Sequence, residues 1–110
     1  MGLQLKSTVK LFGLRPEMVV ALMVVRDAYR DAGAKDLVVT SATDSDHGHS
    51  SLHYSGEALD FRTHGLLEIG IDPKDLTDKI RDSLGRDFDV LLEAPFTGNE
   101  HVHVEFQPKR

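Results

Sequence analysis

The sequence predicts a small α+β domain, with two main helices packed on a central, largely antiparallel sheet. Three observations carry this. The chain has 110 residues, enough for one core, so residues 1–110 are read as a single domain. Two segments with helical spacing open on proline, at Pro16 and Pro73. Proline suits the first helical position because its missing N–H has no partner there anyway. Around them lie short runs rich in Val, Leu and Phe, with the length and alternation of strands.

The elements follow in order. Thr8–Phe12 is short and β-prone and is expected to be a strand. Glu17 favours the positive end of a helix dipole, and Val19, Leu22, Met23, Arg26 and Tyr29 keep helical spacing up to Gly33, a natural left-handed cap. The apolar residues at 19, 20 and 22–25 predict a mostly buried helix whose Leu/Val/Met run is core, with Arg26, Asp27, Arg30 and Asp31 as an ion-paired face. Asp36–Ser41 reads as a buried strand. Ser41–Ser51 is polar, carries two histidines and is too long for a tight turn. Ala58–Arg62 alternates, with Leu59 and Phe61 on one face and Ala58, Asp60 and Arg62 on the other. Asp72 caps a second helix that runs from Pro73 to about Leu84 and stops at Gly85, with Leu76, Ile80 and Leu84 as its one apolar stripe. Phe88–Leu92 is a further strand, Ala94–Asn99 a loop, and His101–Phe106 the last strand. Its histidines and Glu105 share one face, opposite Val102, Val104 and Phe106.

Composition narrows the function. A net charge of −5 argues against a broad electrostatic grip on nucleic acid or an anionic membrane. Aromatic residues make up 6% and there is no Trp, which argues against a base-stacking platform. The longest apolar run, Met18–Val25, is too short to cross a bilayer, and the first twelve residues do not read as a signal peptide. Synthesis in the cytoplasm is therefore expected, with any work at a cell wall following release or carriage in a phage particle; the chain is expected to be a monomer. The absence of cysteine removes disulfides, thiolate zinc sites and a thiol nucleophile.

Six histidines remain, and they cluster: His47, His49 and His53 fall in or just after the long polar stretch, His101 and His103 on the last strand, and His64 between. Ser51–Asp60 has the form S-x-H-x-x-G-x-A-x-D, and Glu100-His101-Val102-His103 combines E-x-x-H with H-x-H. Neutral imidazole and carboxylate are the natural zinc ligands in a chain without thiols, and a catalytic zinc takes three protein ligands with one open position. His53, Asp60 and one histidine of the last strand make such a set. Histidines two apart on a strand share a face, so the second can donate to an oxyanion. A carboxylate beside the metal can take a proton from attacking water and return it to the leaving amine. Glu100 is a candidate, although a regular strand points it away from both histidines; Glu93 and Glu105 are the alternatives. Ser51 is a candidate hydrogen-bonding residue near the metal.

These two motifs resemble those of the hedgehog/DD-peptidase superfamily, and most closely its zinc peptidases of bacterial cell-wall peptides: D-alanyl-D-alanine carboxypeptidases and dipeptidases, and phage L-alanyl-D-glutamate endolysins. The resemblance implies Zn2+ held by His53, Asp60 and His103, Glu100 as base, and His101 as a transition-state or orienting residue. It implies a small α+β fold and a peptidoglycan peptide as substrate. It also implies a second possibility, since the superfamily includes domains that keep the metal without peptidase activity, which here would serve a structural or assembly role such as in a phage tail. One departure concerns substrate binding. The stretch before the first motif, where such peptidases usually carry an Arg that holds the substrate carboxylate, has none between Val38 and Asp46. Arg62, on the same face as Asp60, is the candidate replacement.

Overall fold

Strand β5, His101–Phe106, lies inside the sheet, flanked by β3, Ala58–Arg62, and β4, Phe88–Glu93. The computed structural model describes residues 1–42 and 56–109. The five strands run in the order β1-β2-β3-β5-β4, with β1 at Gly2–Leu5 and β2 at Asp36–Ser41. Only the β1–β2 pairing is parallel; the other three are antiparallel. Helix α1, Pro16–Ala32, packs on β2, β3 and β5, and helix α2, Pro73–Leu84, packs on β4 and on α1. This is the α+β arrangement that the sequence predicts.

The helix ends obey local chemistry. Gly33 closes α1 in the left-handed region at φ 99°, where a Cβ would be strained. Asp72 caps α2 by accepting from the Lys74 amide at 2.9 Å, satisfying a first-turn donor that has no partner inside the helix. Between the helices the core is filled by Tyr29, Phe61, Leu37, Leu59, Leu76, Ile80, Val102 and Val104, all at most 1% exposed. Burying each such side chain stabilises by about 1.5–3 kcal/mol.

Two expectations are corrected. Thr8–Phe12 is not a strand; the sheet edge is instead Gly2–Leu5, whose residues are all exposed. An edge strand with one covered side lacks the apolar run that marks a buried one, so periodicity passes over it. The apolar run of α1 is also not all core. Met18, Ala21, Leu22, Val25 and Tyr29 face inward, whereas Val19, Val20 and Met23 are 44%, 59% and 52% exposed. A helix turns about 100° per residue, so a continuous apolar run must place part of itself outside. The charged face of α1 is paired as expected in kind, but through Asp27 and Asp31 at spacings of one and three residues. A 3-10 turn at Leu67–Ile69 follows β3, and β4 extends one residue past the predicted end, to Glu93.

Candidate metal centre

The inward face of the sheet meets the helices, and its outward face is built in cross-strand rows. Asp60, His103 and Leu91 form one row, Arg62, His101 and Glu93 the next, and Ala58, Glu105 and Asp89 the third. Directly paired residues on one face of antiparallel strands bring their side chains within reach. The alternation of β3 and β5 therefore does more than bury Leu59, Phe61, Val102 and Val104; it sets Asp60 opposite His103.

His103 Nδ1 lies 2.7 Å from Asp60 Oδ1 and 3.6 Å from Glu93 Oε1. Asp60, Glu93 and His103 each offer one ligand atom, and these atoms lie within 4.8 Å of one another. Carboxylate and imidazole are the donor set that suits zinc and other divalent cations. Asp60 and His103 are about 14% and 13% exposed at the side chain, sheltered but reachable from the outer face. On the far side of the ring, His103 Nε2 donates to Glu105 Oε1 at 3.1 Å, and Gln107 Nε2 donates to Glu105 Oε2 at 3.1 Å. That chain fixes the ring and leaves Nδ1 toward Asp60, the orienting arrangement typical of metal-binding histidines. Burial of His103 disfavours its charged form, but the hydrogen bond and charge of Asp60, with the charges of Glu93 and Glu105, outweigh it and hold its pKa above the ordinary histidine value.

His101 sits beside this group. Its Nδ1 donates to the Asn99 carbonyl at 2.6 Å, and its Nε2 faces Glu93 Oε1 at 3.1 Å and Asp60 Oδ1 at 3.8 Å. Glu93, one of the two alternatives to Glu100 that the sequence offers, thus bridges toward both histidines.

Glu100 has a different environment. Its Oε1 accepts from the Thr63 hydroxyl at 2.5 Å and its Oε2 accepts from the Phe96 amide at 2.9 Å. One carboxylate oxygen bonds within the connection between β4 and β5, the other ties that connection to Thr63 just after β3, and Glu100 is not in the group around His103. Glu105 lies behind His103 rather than on its Nδ1 side. The expected ligand His53 lies outside the described residues, as do Ser51, His47, His49 and Tyr54. His64 is exposed.

A cleft of about 540 Å³ opens on this face, lined by Lys6, Ser41, Asp60, Arg62, Glu100 and His101 among others. An irregularity in the β2–β3 register between Val39 and Ser41 sets Ser41 opposite Asp60 in its wall. The lip is held by Tyr29, whose hydroxyl donates to the Arg62 carbonyl at 3.0 Å; burial first, then the charge of Glu100, pushes that phenol far above its ordinary pKa, so it stays a donor. Gly56 fixes the approach to β3. It has φ 78°, and a Cβ there would lie 2.2 Å from the Gly13 carbonyl oxygen, so only glycine fits. No protein-family description, curated protein or solved structure matches this chain.

Proposed function

We propose that the chain is a zinc metallopeptidase that hydrolyses a peptide bond in bacterial cell-wall peptides, of the D-alanyl-D-alanine carboxypeptidase or L-alanyl-D-glutamate endopeptidase type. The observation that carries this reading is the pairing of Asp60 with His103 across β3 and β5 at 2.7 Å, with Glu93 beside them. In this reading His53, Asp60 and His103 hold the metal. Zinc supplies Lewis acidity and makes water a nucleophile at neutral pH. Glu93, within 3.6 Å of His103 Nδ1, takes the proton-transfer role that the E-x-x-H spacing assigns to Glu100, and returns the proton to the leaving amine. His101, held at Nδ1 by the Asn99 carbonyl, can donate from Nε2 to the developing oxyanion when its ring carries both protons. The enzyme works as a monomer, reaching the wall after release from the cytoplasm or as part of a phage particle.

A second reading is a zinc-binding module without catalysis, with a structural or assembly role. It is favoured by Glu100, the motif carboxylate, whose two oxygens are engaged by Thr63 and Phe96. One experiment separates the readings. The purified chain is assayed for zinc content and incubated with peptidoglycan and with D-Ala-D-Ala and L-Ala-D-Glu peptides. One zinc per chain and cleavage, both lost in Asp60→Asn, is the expected result. Zinc without cleavage supports the module, and a chain that takes up no zinc overturns both.

A further inference from the structure

We propose that β1 is the seam of a two-fold dimer, in which the Gly2–Leu5 strands of two copies pair antiparallel and join their sheets. The metal centres stay on β3, β5 and β4, with β2 between them and the seam, so one chain still suffices for the chemistry proposed above.

The sheet has two outer strands, and they end differently. At β4 the Arg81 guanidinium donates to the Val90 carbonyl at 2.6 Å. A charged side chain set across an edge is one way in which proteins stop further pairing. At β1 the edge is open among the described residues. The Lys6 amide donates to the Val39 carbonyl at 2.9 Å, so the even-numbered residues bond β2, and the N–H and C=O groups of Leu3 and Leu5 face away from it. The apolar layer also runs past the helices here. Leu3 and Leu5 pair with Leu37 and Val39, which are fully buried, yet they are themselves 45% and 44% exposed.

Register and charge identify a second copy as the occupant. Antiparallel pairing about Gln4 sets Leu3 opposite Leu5 of the second copy. These two residues exchange both backbone bonds, and the two-fold axis repeats the exchange. The four leucines then meet on the helix side of the sheet. On the other side Gly2 falls opposite Lys6 of the second copy. Gly2 pairs with Asp36 within its own copy, and the Asp36 carboxylate leans over it: a Cβ on Gly2 would lie 3.4 Å from Asp36 Oδ1. Asp36, Gly2 and the second copy's Lys6 therefore stand in one row across two strand spacings, about 9.6 Å. Glycine puts no side chain between them, so the ammonium can reach the carboxylate. Lys6 and Asp36 are both exposed, and among the described residues neither makes an ion pair within its own copy. One edge thus carries both members of the pair, the self-complementarity that a two-fold contact requires. With the β4 edge blocked, association closes at two copies. A seam of one short strand falls short of the total area of a stable interface, roughly 1,200–2,000 Å², so the dimer is reversible and fills only at high concentration.

The test is sedimentation of the full chain from about 10 μM to about 1 mM. The chain carries no tag at its N-terminus, and EDTA is present so that no metal bridges two copies. A monomer–dimer equilibrium is the expected result. Lys6→Asp and Asp36→Lys should each weaken association about tenfold, since each sets like charges across the seam at both ends. The double swap Lys6→Asp/Asp36→Lys should restore it, a recovery that damage to the fold does not produce. Leu3→Pro removes an N–H that faces the open edge and should abolish the dimer. A chain that stays monomeric over the whole range, or species larger than the dimer, overturns the proposal. So does a dimer indifferent to the single charge reversals or to Leu3→Pro, or a double swap as weak as either single change.

Discussion

The open face of the sheet and the connection between β4 and β5 use the same chemistry for opposite ends. On the open face carboxylates meet imidazoles: Asp60 with His103, Glu93 with His101, Glu105 with the far side of His103. In the connection the Glu100 carboxylate meets a hydroxyl and a backbone amide, and holds a turn in which Ala94 and Phe96 adopt φ 48° and 64°. Left-handed backbone costs a non-glycine residue about 1–2 kcal/mol, so such a turn needs bonds to hold it. Glu100 is closer to His103 in sequence than Glu93 is, yet Glu93 is the one beside Nδ1. Cross-strand register, not spacing along the chain, decides which carboxylate reaches the donors.

The comparison breaks most sharply in activity. Glu93→Gln should keep zinc and lower kcat about 10²- to 10⁴-fold, the usual weight of a positioned acid–base group. Glu100→Gln should keep most of kcat. Steady-state kinetics on the cleaved peptide, with zinc content measured for both variants, reads this directly, and the reverse pattern returns the base to Glu100.

Stability should show the complementary pattern with a smaller effect. Thr63 is buried, at 4% exposure, and its hydroxyl donates to Glu100. Thr63→Val removes that bond and leaves a carboxylate oxygen unsatisfied, a loss of about 1–3 kcal/mol. Glu93, half-buried at the sheet rim, should cost less than about 0.5 kcal/mol as Gln, in the range of ordinary surface changes. Urea unfolding measures both; a costlier Glu93→Gln would mean that the open face, not the connection, carries the structural bond.

The sequence made legible whatever follows from local pattern. Pro16, Gly33, Asp72 and Gly85 mark the helix ends, and the alternation of Ala58–Arg62 and His101–Phe106 puts the candidate residues on one face. The partner of each residue was not legible, because pairing depends on strand order and register. Glu93 gained its place only through β4 lying beside β5, and Lys6 through an edge strand that pairs in parallel with β2 and carries no buried run. The outward turn of Val19, Val20 and Met23 was hidden by an apolar run without a clean helical period.

The smallest expected effect concerns the charge on His103 and contrasts with Glu100, whose bonds involve no histidine. In the metal-free chain the His103 pKa is raised, because Asp60, Glu93 and Glu105 together outweigh the burial that opposes the charged ring. A group whose folded pKa exceeds its unfolded value of about 6.5 adds stability that is fully present below that value and is lost as pH rises through the folded pKa. In a chelator, the stability advantage of the wild-type chain over His103→Gln should therefore shrink as pH is raised from about 6 to about 9, as read by urea unfolding at each pH. Zinc uptake must run the other way, since a ligand nitrogen has to give up its proton and affinity rises with pH. A metal-free advantage that grows with pH would mean that the Asp60–His103 pair is held by a neutral ring, and the open face would then share the uncharged bonding of the connection.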